Sequence, residues 1–231
     1  MGIWSWLTGR EAEKARAPVV VPVPAPIPVL AVGDPVGALP KPVPVDVPVP
    51  AAKAAISDFS AAMEFILRPD NDGQPYHHDP RDHGGMTAWG VTAATWAAHN
   101  RQPLAWATKE RMQALKREDV YPVYLKGFWD ANNCDGLPRG VGFVVFNMGC
   151  GTGPKPAAII LQRLLGLAED GRIGPVTLAA ARAWDPVKLT KAYTDACLAW
   201  YKLLKQYPIY GRGWSRRATQ AGEIAGRLAA G

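Results

Sequence analysis

Cysteine is scarce in this 231-residue chain, with three, Cys134, Cys150 and Cys197, odd in number and widely spaced. That excludes a disulfide framework and a Cys-x-x-Cys zinc motif, and makes buried free thiols the expectation, as suits a chain made in a reducing cytoplasm. Histidine is also rare, but three of the four, His77, His78 and His83, share one loop with Asp79 and Asp82. Zinc accepts such ligands. No helical His-x-x-x-His pair accompanies them, however, so solvent-facing or substrate-contacting histidines are expected, with no metal and no cofactor. A long unbroken apolar run is missing too. The stretch 19–32 comes nearest, and its prolines at 22, 24, 26 and 28 exclude a regular membrane helix. The opening Met1-Gly2-Ile3-Trp4-Ser5-Trp6-Leu7-Thr8 lacks the basic lead and cleavage pattern of a signal peptide.

Proline, by contrast, is concentrated. Residues 17–50 hold 11 of the 22 prolines in a Val-Pro, Ala-Pro, Ile-Pro rhythm. Every second peptide there lacks an N–H, so neither helix nor central strand can form. The expectation is a disordered, Pro-rich N-terminus, a semi-rigid polyproline tether reaching about 100 Å at about 3.1 Å per residue. Ahead of it, residues 1–8 present Trp4, Trp6 and Leu7. Two readings stand: a terminus without structure, or a peptide that docks on a membrane or a protein.

Charge is uneven. Residues 1–56 carry five basic and four acidic side chains, residues 57–140 nine and eleven, and residues 141–231 twelve and five, so the net +6 sits almost entirely at the C-terminal end. A basic surface suits polyanions such as cell wall. The Lys and Arg are scattered and no recognition motif accompanies them, so nucleic acid is not an expected partner.

From Ser57 the pattern turns helical. Phe59, Met63, Ile66 and Leu67 share a face, with Ser57 or Asp58 as the cap. Thr92 caps a second helix through Trp96 and His99, and Thr108 a third with Met112 and Leu115. A fourth runs from Glu118 to Trp129, bent at Pro122. Gly140 to Gly153 is apolar and glycine-rich, without a helical stripe. Periodicity resumes at Ala157, Ile160, Leu161, Leu164 and Leu165, and returns over about 186–206. A basic aromatic tail, Tyr210 to Arg217, follows. Strand signals are confined to a small hairpin around residues 76–92.

That last segment carries the chemistry: Tyr76-His77-His78-Asp79-Pro80-Arg81-Asp82-His83-Gly84-Gly85-Met86-Thr87-Ala88-Trp89-Gly90-Val91-Thr92. Gly84 and Gly85 let the backbone approach a ligand closely between Asp82 and Thr87. A carboxylate and a hydroxyl beside such a turn can hold one water for attack. Glycoside hydrolysis by inversion needs that water, a carboxylate base and an opposing carboxylic acid.

The segment resembles the signature of glycoside hydrolase family 108, N-acetylmuramidases related to phage and secretion-associated lysozymes. The family pattern runs Glu-Gly-Gly-Tyr, then Asp-Pro-x-Asp-x-Gly-Gly-x-Thr-x-x-Gly-Ile/Val-Thr. It is matched at Tyr76, Asp79-Pro80, Asp82, Gly84-Gly85, Thr87, Gly90 and Thr92. The likeness continues through Tyr124 to Trp129-Asp130 and Leu137-Pro138. Asp170-Gly171-Arg172-Ile173-Gly174-Pro175-Val176-Thr177 is similar to the Asp-Gly-x-Ile-Gly-Pro-x-Thr motif of peptidoglycan-binding domains. The pattern has an Asp and an Asn where this chain has Asn147 and Gly151.

The resemblance implies a mainly α fold: a lysozyme-like helical domain over 57–140 with a small β-hairpin or loop at the active site, and a helical peptidoglycan-binding domain over 141–231, both behind the tether 1–56. It implies cleavage of the β-1,4 bond between N-acetylmuramic acid and N-acetylglucosamine in peptidoglycan glycan strands. The chain would reach the wall by phage- or secretion-type delivery. Asp82 would be the base and Thr87 would help hold the water. The family's acid is Glu. Counting from Leu67-Arg68 places Asp70 there, as general acid; Asp72 is a second candidate and Glu64, on the preceding helix, a third. Tyr76, Asp79, Trp89 and Trp214 are expected substrate contacts, with Trp214, between Arg212 and Arg216, taken as exposed. Two rivals remain: a wall-binding or structural protein that has lost the acid, and a metal-dependent amidase or peptidase built on the histidines.

Overall fold

A computed structural model of the chain describes residues 52–78 and 85–231. Residues 1–51 fall outside it, and with them residues 1–8, read as unstructured or docking, and most of the tether expected over 1–56. Nine α-helices and one two-stranded hairpin make up the described part: α1 (Ala52–Ile66), β1 (Thr87–Ala88), β2 (Val91–Thr92), α2 (Ala93–His99), α3 (Lys109–Ala114), α4 (Tyr121–Tyr124), α5 (Val141–Thr152), α6 (Pro154–Leu164), α7 (Pro175–Arg182), α8 (Pro186–Lys202) and α9 (Tyr207–Ala230). The mainly helical expectation holds, as does the small hairpin.

The organising element is α5. All 12 of its residues, from Val141 to Thr152, are buried, and α1, α6, α8 and α9 pack around it. A helix apolar on every side has no amphipathic stripe, so its period was invisible in the Gly140–Gly153 sequence. Phe146 of α5 meets Trp129 and Phe59 edge-on, at ring-centroid distances of 5.4 and 6.0 Å. One apolar core runs from Ala62 to Ala225 through these helices. A smaller cluster, Ala88, Ala93, Ala97, Ala107 and Met112, lies under the hairpin and α2–α3. Cys134, Cys150 and Cys197 are free thiols buried in the main core.

Local signals explain the termini. Thr92 Oγ1 accepts from Thr95 N at 3.2 Å and Thr108 Oγ1 from Arg111 N at 3.4 Å, capping α2 and α3. Three expectations need correction. The helix expected from Ser57 begins at Ala52, because the alanine-rich stretch before it propagates helix readily. Asp58 is thus inside α1, where it is buried and takes Arg139 Nε at 3.3 Å. The fourth helix is three short pieces: a 3-10 turn at Arg117–Val120, α4, and a π turn at Leu125–Trp129. Pro122 sits in the first turn of α4, where its missing N–H costs no bond. The basic aromatic tail is no tail. It lies within the 24-residue α9, which packs along α8.

The Asp170–Thr177 motif is held from within. Gln162, buried on α6, donates to Asp170 Oδ1 at 2.6 Å and to the Arg172 carbonyl at 2.9 Å, and its Oε1 accepts from Gly171 N at 2.9 Å. Pro175 then opens α7. The hydrogen bond from Gln162, aided by the Arg172 backbone N–H, holds the Asp170 carboxyl below its ordinary range. A depressed folded-state value adds stability above the unfolded value, near pH 4, and that stability is lost as pH falls through the folded value. Asp170→Asn is therefore expected to lower the melting temperature at pH 7 and to converge on the parent as the pH falls toward 3. Calorimetry across that range checks it; a constant gap would refute the linkage.

Candidate functional site

After α1 the chain coils on itself before reaching the hairpin. Asn71 N and Gly73 N both bond to the Arg68 carbonyl, at 2.9 and 3.0 Å, and Asp72 N reaches back to Ile66 O at 3.0 Å. Asn71 Nδ2 adds a bond to Phe65 O at 2.8 Å. Gly73 passes so close to the Leu67 carbonyl that no Cβ would fit. This coil turns Asp72 inward, where it is 3% exposed. Asp70 faces outward: its side chain is 49% exposed, and Arg216 Nη2 lies 3.9 Å from its carboxylate.

The hairpin pairs Thr87 with Thr92 and Ala88 with Val91. Its two turn residues, Trp89 and Gly90, both have positive φ, 49° and 76°, the requirement of the type I′ turn that matches strand twist. The buried Tyr124 hydroxyl donates to Trp89 O at 3.1 Å and pins this turn. Burial, reinforced by the nearby Asp72 charge, pushes the Tyr124 phenol well above its ordinary value, so it stays a donor. His77 extends the hairpin by exchanging backbone bonds with Thr87 at 2.7 and 2.8 Å.

Asn71, Asp72, Gln74, His77, Thr87 and Gly90 thereby line one cleft. Three of its polar atoms, Asn71 Oδ1, Asp72 Oδ1 and His77 Nε2, are buried without a hydrogen-bond partner among the described residues. Buried polar groups without partners are costly and uncommon in folded proteins. Grouped in one cleft, they are bonding capacity that a ligand rich in hydroxyl and amide donors can satisfy.

The other carboxylate oxygen of Asp72 is taken. Arg217 Nη1 of α9 lies 2.9 Å from Asp72 Oδ2, and both side chains are buried. Arg217 Nε also donates to Asn147 Oδ1 of α5 at 2.9 Å. Burial works against the Arg217 charge, but Asp72 first among its neighbours outweighs it, and the net shift is upward. Neither Arg217 nor Asn147 was singled out as functional from the sequence. Asn147 stands where the family pattern has an Asp, which was a signal; for Arg217 the signal was an Arg amid the apolar positions of a helical stretch, and that stretch read as a tail.

Of the expected site residues, Thr87 lies in the cleft and Asp72, the second acid candidate, joins it. Asp70 does not. Glu64 is exposed and paired with Arg117 at 2.8 Å, away from the cleft residues. Tyr76 is half-buried, its hydroxyl without a partner among the described residues. Trp89 is half-buried, its indole N–H donating to Leu115 O at 2.8 Å and its ring packed against both core clusters. Trp214 corrects an expectation: it is 6% exposed, between Tyr201 and Tyr210 with ring centroids at 5.6 and 5.8 Å. Its flanking arginines looked like solvent neighbours, but on a helix adjacent residues face different ways. Asp79, Asp82 and His83 lie outside the described residues, and no group of three potential metal ligands gathers among the described ones.

Residues 65–153 match the family model described as Glycosyl hydrolase 108, and residues 156–219 the model described as Predicted Peptidoglycan domain. No curated protein matches the chain. Among solved structures, that of Brucella abortus SagA is similar, with a TM-score of 0.68 and 30% identity over 75% of this chain and 97% of that one. At that identity and coverage, with both models matched in order along one polypeptide, the chain belongs to glycosyl hydrolase family 108 and is a lysozyme-like protein that acts on peptidoglycan.

Proposed function

We propose that the protein is an N-acetylmuramidase, hydrolysing the β-1,4 bond between N-acetylmuramic acid and N-acetylglucosamine in the cell wall. The observation that carries this reading is Asp72: a buried carboxyl at the cleft, one oxygen anchored and the other without a partner among the described residues. Asp72 takes the acid role that counting from Leu67-Arg68 assigns to Asp70: it takes up a proton from solvent on Oδ1 while Oδ2 keeps its bond from Arg217, and passes that proton to the leaving glycosidic oxygen. Asp82, matched by the resemblance, accepts the proton of the attacking water as that water bonds to the anomeric carbon and the glycosidic C–O bond breaks. Thr87 helps hold the water. Two carboxyl groups and a water complete the balance. The acceptor atoms of Asn71 and His77 suit the hydroxyl and acetamido N–H donors of an amino sugar.

One observation favours a second reading, wall binding without cleavage. Asp is one methylene shorter than Glu, and one of its oxygens is occupied by Arg217. Mass spectrometry of muropeptides, after incubating purified peptidoglycan with the protein, separates the two. New reducing N-acetylmuramic ends are expected. Intact glycan that co-sediments with the protein would support binding alone, and cut peptide stems would make the protein an amidase or peptidase.

A further inference from the structure

The cleft carboxyl and the cation that holds it lie 145 residues apart in the chain. Asp72 belongs to the region matched by the hydrolase model and Arg217 to the region matched by the peptidoglycan model. We propose that Arg217 is a positioning residue for Asp72, so that the C-terminal region is a built-in part of the hydrolytic site as well as a wall-binding module. The inference rests on the muramidase reading above.

The geometry gives Arg217 little freedom. Its guanidinium is gripped at two atoms, Nη1 by Asp72 Oδ2 and Nε by Asn147 Oδ1, each at 2.9 Å. Asn147 lies on α5, whose residues are all buried. Arg217 itself is 4% exposed, on the face of α9 that also buries Trp214, Ala218, Ala221 and Ala225. The planar fork of an arginine transmits that fixed placement to a carboxylate in a way a lysine ammonium does not. Asp72 has only two side-chain torsions between backbone and carboxyl. With its backbone N–H tied to Ile66 O and Oδ2 tied to Arg217, Oδ1, which has no partner among the described residues, is left aimed by two fixed points.

This arrangement also answers how a carboxyl one methylene shorter than Glu can serve. The coil after α1 carries the backbone of Asp72 inward, and Arg217 sets the last rotation. A carboxyl misplaced by about an ångström loses on the order of 100-fold in rate, which sets the scale of the expected effect.

The test uses the full chain and initial rates of reducing-end release over a range of peptidoglycan concentrations at 25 °C. Arg217→Lys keeps a positive charge beside Asp72 but cannot make both bonds. With the rate referred to folded protein, measured by circular dichroism, we expect kcat to fall about 10- to 100-fold with KM within about twofold, a split that loss of wall affinity would not produce. Arg163→Met, which removes a half-buried arginine paired with Glu169 in the same region, is the control and leaves both constants unchanged. If Arg217→Lys is unfolded at the assay temperature, Asn147→Ala carries the same test, since it leaves both charges in place and frees the guanidinium. A kcat equal to the parent's in whichever variant is folded, or a loss confined to KM, overturns the positioning role while the muramidase reading survives. A parent that releases no reducing ends overturns that reading, and the positioning role with it.

Discussion

Asp72→Asn is expected to reduce the release of reducing ends by about 10³-fold, while Asp70→Asn leaves it within about twofold. The substitution keeps the size of the side chain and removes its ability to donate or accept the catalytic proton, a contribution of about 10² to 10⁴ in rate. Asp70 differs by two positions in sequence, but its carboxyl is 49% exposed and separate from the cleft residues. Asp72→Asn has a second consequence. Arg217, 4% exposed, is left without its counter-charge, and breaking a buried ion pair from one side costs about 3–5 kcal/mol. Unfolding and activity are therefore measured together, and the rate is referred to folded protein. Full activity in Asp72→Asn with loss in Asp70→Asn would return the acid role to Asp70.

Gly90→Ala is expected to lower stability by about 3 kcal/mol, of which about 1–2 kcal/mol is the left-handed backbone and the rest crowding in a packed interior. The position has a φ of 76°, and a Cβ placed there would meet both the Tyr124 hydroxyl and the Asp72 Cβ. Neither can step aside: Tyr124 is fully buried and bonded to Trp89 O, and Asp72 is anchored by Arg217. For a domain of this size the melting temperature falls by about 6–12 °C. Gly85→Ala gives the reference. Its φ is 63°, but a Cβ there meets nothing within 4 Å, so only the backbone cost of about 1–2 kcal/mol applies. Equal losses at the two glycines would show that crowding against Tyr124 and Asp72 does not matter.

The motif residues outside the cleft gain physical reasons of their own. Tyr124 of the Tyr-x-x-x-x-Trp-Asp stretch pins the hairpin turn, and the Trp129 indole N–H donates to Asp135 Oδ1. In the Asp-Gly-x-Ile-Gly-Pro-x-Thr stretch, Asp170, Gly171 and Thr177 all converge on Gln162. These matches report how the chain is folded more than what it touches.

Much of this was legible before any coordinates, because local rules decide it. Thr92 and Thr108 announce the helices they cap, Pro175 opens α7, and the signature segment carries the small hairpin. The signature loop announced the chemistry by residue type. What stayed hidden depends on faces and distances. The wholly buried α5 has no stripe to read, the tryptophan between two arginines proved to be core, and a helix ran through an expected tail. The choice between Asp70 and Asp72 turns on a coil of three backbone bonds, and counting positions from a motif cannot weigh those.

By itself, then, the sequence determined a mainly helical chain with a hairpin, a Pro-rich lead and the residue types of a two-carboxylate site. Such features depend on neighbours a few positions apart, which capping, turn chemistry and periodicity describe. The tertiary structure alone decided that Arg217 holds Asp72 across 145 residues of chain, with Asn147 of the central helix behind it. That contact exists because burial leaves a carboxylate no water to turn to, and only a packed core can bring a matching cation to within 2.9 Å of it.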